Sequence, residues 1–142
     1  MSESLIQYGT SFQNKLISSL ITDSKFIQTI VDILEISYFD SDSSKFLIKS
    51  IKDYFKKYKT TPTMEAMKVM IDDVEDDILK SSIVDNLRNA WGYRESPDLE
   101  FVKEKSLEFC KNQVVKSAIM ESVELLESQK YDEIKTIIDK AM

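Results

Sequence analysis

Only two glycines, Gly9 and Gly92, and two prolines, Pro62 and Pro97, punctuate this chain of 142 residues. A β-rich fold needs frequent turns, and turns draw on glycine and proline, so the scarcity argues against one. The few long segments left between them carry apolar residues at helical spacing. The predicted class is therefore all-α. The length is enough for one domain with a real core. With 42% hydrophobic and 31% charged residues the composition is that of a folded protein and not of a disordered one.

In chain order, the spacing predicts a first helix from Thr10 to Ile21, with Phe12, Leu16, Ile17 and Leu20 as its apolar face. Asp23 then caps a helix carrying Phe26, Ile27, Ile30, Val31 and Leu34. A short link, Ile36 to Phe39, turns its aromatics inward. The central helix follows, capped by Ser43 or Ser44, with Phe46, Leu47, Ile51, Tyr54, Phe55 and Tyr58 in one wide stripe. Thr61 precedes Pro62 and is pushed out of the α region, so the helix ends near Lys59. Thr63 caps the next helix, on which Met64, Met67, Val69, Met70 and Ile71 are apolar. Asp72 to Trp91 reads as a fifth helix, with Ile78, Leu79, Ile83 and Leu87 inward and Gly92 as C-cap.

The segment 92–98, GYRESPD, is the best internal boundary. It separates a globular helical bundle over 1–91 from a helical hairpin over 99–142. The first arm runs without glycine or proline from Leu99 to Ser128. It is apolar on several sides. Leu107, Val114, Ala118 and Leu125 share one face. Phe101, Val115, Ile119 and Leu126 lie a quarter-turn away, and Val102, Phe109 and Met120 further round. A helix apolar on several sides touches more than one neighbour. The second arm places Tyr131, Ile134, Ile138 and Ala141 at 3-4 spacing and stops in mid-pattern at Met142, as if the chain were cut from a longer one.

Residues that carry chemistry are scarce. No GxxxxGK[ST] phosphate loop occurs, and there is no histidine, the commonest general base and metal ligand. Cys110, the single cysteine, allows no intrachain disulfide, fits a reducing compartment, and sits on an apolar face as a buried inert thiol. The acidic run Asp72 to Asp77 lacks the glycine and terminal glutamate of a calcium loop. Met64, Met67 and Met70 read as core filler before a partner groove, and Trp91 as a packed anchor before an interface hot spot. The N-terminus, MSESLIQYGTS, is not a signal peptide, and no apolar run has membrane-spanning length. The net charge of −6 disfavours tight nucleic-acid binding. Lys45, Lys49, Lys52, Lys56, Lys57 and Lys59 cluster on the central helix all the same. Such a run is usually a solvated face; Lys49, Lys52 and Lys56 are the residues that would touch a partner or, weakly, DNA.

Three segments, LISSLITDSKFIQTI, YFDSDSSKFLIKSIKDYFKKYKTTPTMEAMKVMI and DLEFVKEKSLEFCKNQVVKSAIMESVELLES, carry a recognisable order. It resembles the N-terminal domain of DnaB-type replicative hexameric helicases, and most of all those of T-even-like phages. Asp72 to Asn89 contributes no diagnostic residue. The resemblance implies a compact head and a hairpin that pairs between subunits, with three such dimers forming a ring collar. It implies a landing surface for primase and helicase loader. An ATP- and Mg-dependent 5′–3′ unwinding motor would lie downstream of Met142, so this chain would itself be no enzyme and would hold no cofactor. If phage-encoded, it would act in the cytoplasm of the host cell. The other reading is a self-contained acidic helical regulator that binds a host protein. Under the first reading the self-association surface is Leu107, Cys110, Val114, Ile119, Tyr131, Ile134 and Ile138, on the hairpin.

Overall fold

In the computed structural model, which describes residues 4–142, the fold is all-α. Seven α-helices follow a 3₁₀ turn at Leu5–Tyr8, and no strand occurs among the described residues. The helices are α1 (Thr10–Thr22), α2 (Ser24–Ile30), α3 (Asp42–Tyr58), α4 (Met64–Asp72), α5 (Asp77–Gly92), α6 (Leu99–Glu127) and α7 (Tyr131–Ala141). A second 3₁₀ turn, Ile36–Tyr38, leads into α3. Two compact units result, Met1–Ser106 and Leu107–Met142.

The first unit is built on α1, which packs against α2, α3 and α5, while α3 and α4 also pack on α5. Leu16, Ile17 and Leu20 of α1 are buried with Ile27, Ile30 and Leu34, with Leu47, Ile48 and Ile51 of α3, and with Ile83 and Ala90 of α5. Each large aliphatic side chain among them contributes roughly 1.5–3 kcal/mol on burial. Phe39 is buried too and Tyr38 half-buried, so of the two aromatics of the short link only Phe39 goes fully inward.

Most helix starts are marked in the sequence. Asp23 accepts hydrogen bonds from the Lys25 and Phe26 amides, and Thr63 accepts from the Ala66 amide. At α3 the cap is Ser41, whose hydroxyl accepts from the Ser44 amide, and not Ser43 or Ser44. Those two hydroxyls instead donate to the Asn86 carboxamide oxygen on α5, at 2.7 and 2.8 Å. A tertiary hydrogen bond has taken the residues that could have capped.

The fifth helix begins at Asp77, with Asp76 as its cap, and not at Asp72. Asp72 closes α4, and 73–76 form the connection. Ile78 is 82% exposed, on the side of α5 opposite Leu87, and Leu79 is half-buried, whereas Ile83 and Leu87 stay inside. Gly92 remains helical at the end of α5, and the cap is Tyr93. No left-handed residue is needed there. The left-handed caps fall on Lys59 (φ 62) after α3 and Gln129 (φ 61) after α6.

The first turns of α6 belong to the first unit, and ion pairs fasten them. Lys15 Nζ lies 2.8 Å from Asp98 Oδ2, and Lys103 Nζ lies 2.9 Å from Asp23 Oδ2. Lys103 donates to Glu100 as well, at 3.0 Å. The bond from Lys103, helped by the two backbone amides, holds the Asp23 carboxyl below its ordinary range. Bonds from Lys15 and Ser96 do the same for Asp98. Burial works against the charge of Lys103, but its two carboxylate partners outweigh burial and raise its pKa. The boundary between the units falls after Ser106, inside α6.

Candidate interaction surfaces

The second unit consists of the rest of α6 and of α7, joined by 128–130. A three-residue connection is that of an αα-hairpin. Its geometry is a Schellman motif: the Gln129 amide donates to the Leu126 carbonyl at 3.1 Å, and the Lys130 amide to the Leu125 carbonyl at 2.9 Å. The Ser122 hydroxyl donates to the Ala118 carbonyl one turn back. Asp132 and Glu133 in the first turn of α7 and Lys140 in its last suit the helix dipole.

Along α6 the faces separate by exposure. Leu107, Val114 and Leu125 are half-buried and Ala118 is buried. On α7 the half-buried residues are Ile134, Ile137 and Ala141, an i, i+3, i+7 seam. A second face of α6 lies open, with Val115, Ile119, Val123 and Leu126 exposed at 3-4 spacing and Met120 beside them. Tyr131 and Ile138 of α7 are exposed as well. The seven residues expected at a self-association surface thus divide. Ile119, Tyr131 and Ile138 are exposed, Leu107, Val114 and Ile134 are half-buried, and Cys110 is fully buried within the single chain. The signal for the open face was present in the sequence, where Val115, Ile119 and Leu126 already stood apart from Val114 and Leu125.

Of the six lysines clustered on α3 and its cap, three have local partners. Lys52 donates to the Leu34 carbonyl and so satisfies the chain end that follows α2. Lys49 pairs with Asp53 one turn on, at 2.8 Å. Lys57 lies over the Tyr58 ring at 5.3 Å, and Tyr58 packs against Tyr54 at 4.6 Å between centroids. Lys56 is exposed. The geometry is that of a solvated helix face with local partners.

The remaining candidates resolve residue by residue. Met67 is buried in the core, while Met64 and Trp91 line an open trough between α4 and α5. Trp91 is half-exposed, with the Arg94 guanidinium 4.8 Å from its ring. Among the described residues no group of three or more histidine, cysteine, aspartate or glutamate side chains is placed to hold a metal. None of the helices described is long and apolar enough to cross a membrane. In comparisons with known proteins no family model matches the chain, and neither a curated protein nor a solved structure matches it.

Proposed function

We propose that the chain is the oligomerisation and partner-docking tier of a DnaB-type replicative helicase, with the hairpin as the contact between subunits. What carries this reading is the open face of α6. Val115, Ile119, Val123 and Leu126 continue for three turns in solvent, and Tyr131 and Ile138 of α7 add to the exposed apolar surface. A single soluble chain rarely leaves so continuous a stripe uncovered. Pairing two hairpins makes a four-helix bundle and covers it, and a two-fold interface lets the same residues serve both partners. Three such pairs would build a collar. Primase and helicase loader would dock on the assembled tier, and the ATP-driven motor would belong to another part of the parent protein. Contact with DNA would be weak, in keeping with the net charge of −6 and the local pairing of Lys49 and Lys52.

Light scattering tests the reading. At about 50 µM, where an interface of ordinary size assembles, the chain should have at least twice its single-chain mass. The double substitution Ile119→Asp with Leu126→Asp puts two charges on the exposed face. It should give a monomer with unchanged helical circular dichroism. A wild-type monomer at that concentration, or a variant that keeps the assembled mass, would rule the hairpin out as the contact.

A further inference from the structure

The first unit carries a second under-covered surface, a concave one. α4 and α5 form a helical pair joined by 73–76, and Lys80 of α5 reaches back to Asp72, donating to its carbonyl at 3.2 Å. Between the two helices runs a trough of about 670 Å³. That is the size range of sites that seat a ligand or a row of side chains. Its floor is apolar: Met64 and Ile71 from α4, Val84, Leu87 and Trp91 from α5. The same helix pair exposes Val69 and Ile78.

The walls of the trough are balanced in charge, Glu65 and Asp72 against Lys68 and Arg88, and the acidic excess lies beyond them at the turn. From Met64 to Gly92 seven carboxylates face three basic side chains, Lys68, Lys80 and Arg88. Five of the seven are concentrated at Asp72, Asp73, Glu75, Asp76 and Asp77, at the turn end. Two of the bases are already committed, Lys80 to Asp72 and Arg88 to Asp85, each at 3.8 Å. At the other end stands Trp91, an aromatic anchor held by Arg94. Its indole N–H has no acceptor among the described residues. An apolar trough between two helices, closed by an acidic turn and ended by an aromatic, fits one occupant. Apolar side chains at i, i+3, i+4 and i+7 fill the floor, and a basic flank meets the turn.

We infer that the α4–α5 trough is a docking site for a basic amphipathic helix of a partner protein. The inference rests on the surface of this helix pair alone and not on the collar reading, so either can fail without the other. A second copy of this chain is a poor occupant, because its acidic balance opposes the turn.

Trp91 is the only tryptophan, so its emission reports the trough directly. The probes are two tryptophan-free model peptides with a leucine face at helical period. One carries lysine on its polar face, and the other carries glutamate. At about 0.15 M salt the lysine peptide should move Trp91 emission to the blue in a saturable way, and the glutamate peptide should not. Val84→Asp, in the floor, should weaken binding at least tenfold with helical dichroism unchanged. Asp73→Lys with Glu75→Lys, on the exposed turn, should do the same without touching the floor, and so serves if Val84→Asp does not fold. The inference is overturned if the lysine peptide leaves Trp91 unmoved up to about 1 mM, which is the weakest affinity of interest. It is also overturned if both peptides shift Trp91 alike, or if the folded variants bind as the wild type does. Emission that changes with protein concentration alone would give the trough to a second copy and overturn it too.

Discussion

Asn86 joins three helices with one carboxamide. Its oxygen accepts from the Ser43 and Ser44 hydroxyls of α3, and its Nδ2 donates to Asn14 Oδ1 of α1 at 2.7 Å. Ser43, Ser44 and Asn14 are all buried. Removing the hub strands two buried polar groups, Ser44 and Asn14, since Ser43 keeps the Ser41 hydroxyl at 3.1 Å, and each stranded group costs about 1–3 kcal/mol. Asn86→Ala should therefore lower stability by about 2–4 kcal/mol in urea unfolding, allowing for relaxation around the gap. Asp23 has two separable tasks, since Oδ1 caps α2 and Oδ2 holds Lys103. Asparagine caps as well as aspartate does, so Asp23→Asn keeps the cap and loses the charge. The loss should be about 1 kcal/mol at neutral pH, since the pair is partly exposed and Lys103 keeps Glu100. The folded Asp23 carboxyl titrates below its ordinary value of 3.8, so the unfolded chain binds the proton first as pH falls. Its stabilisation is then fully present above that value and is lost as pH drops through the lower, folded one. Unfolding curves of wild type and Asp23→Asn should differ at pH 7 and converge in strong acid. A difference that survives in strong acid would mean that the substitution damaged the cap.

Helix ends show where sequence reading works and where it stops. Asp23 and Thr63 were legible as caps because each closely precedes an apolar run, and at Asp23 the second carboxylate oxygen leaves the cap intact while it holds Lys103. Ser41 was missed because three serines compete there, and only the tertiary fold decides that Asn86 takes two of them. The start of α5 was misplaced because an acidic run reads as helix as easily as turn. Ile78 was expected inward as an apolar residue, yet at 3.6 residues per turn it stands on the side of α5 opposite Leu87 and is exposed. Gly92 suggested a left-handed cap, but α5 ends without one. The left-handed positions went to Lys59 and Gln129, side chains that carry no such signal. Both pay the Cβ penalty of that conformation, which glycine escapes. Lys59→Gly and Gln129→Gly should each raise stability, or leave it level, by up to about 1 kcal/mol, although glycine's extra freedom in the unfolded chain offsets part of the gain. Thermal unfolding followed at 222 nm reads both. A clear loss at Gln129→Gly would mean that the side chain itself, and not the Schellman geometry, holds the hairpin turn.

Across the whole molecule stability is unevenly spread. The first unit buries side chains from α1 to α5, and the opening turns of α6 are fastened to it by Lys15, Lys103 and their carboxylates. α7, by contrast, has no fully buried residue, and its seam of Ile134, Ile137 and Ala141 is only half covered. An isolated helix of 11 residues is marginal in water, because nucleation costs more than so few bonds return. The faces of α6 were legible in the sequence, since the stripe with Val114 and Leu125 is the covered one and the stripe with Ile119 and Leu126 the open one. On α7, however, Tyr131 and Ile138, expected in the seam, are exposed, and Ile137 is half-buried instead. Which face meets a second chain was not legible, because spacing gives faces and not neighbours. Hydrogen exchange can supply that missing information. In the wild type diluted until light scattering gives the single-chain mass, the amides of α7 and of the last turns of α6 should exchange orders of magnitude faster than those of α1, α3 and α5. At tens of micromolar the hairpin amides should slow markedly, while the bundle amides, already limited by the unfolding of their own core, change little. In Ile119→Asp with Leu126→Asp the hairpin should stay fast at both concentrations. Hairpin amides that are as slow as the bundle's in that variant, or in the wild type at single-chain mass, would show that α7 is stable without a partner, and the exposed face of α6 would lose its reason to pair.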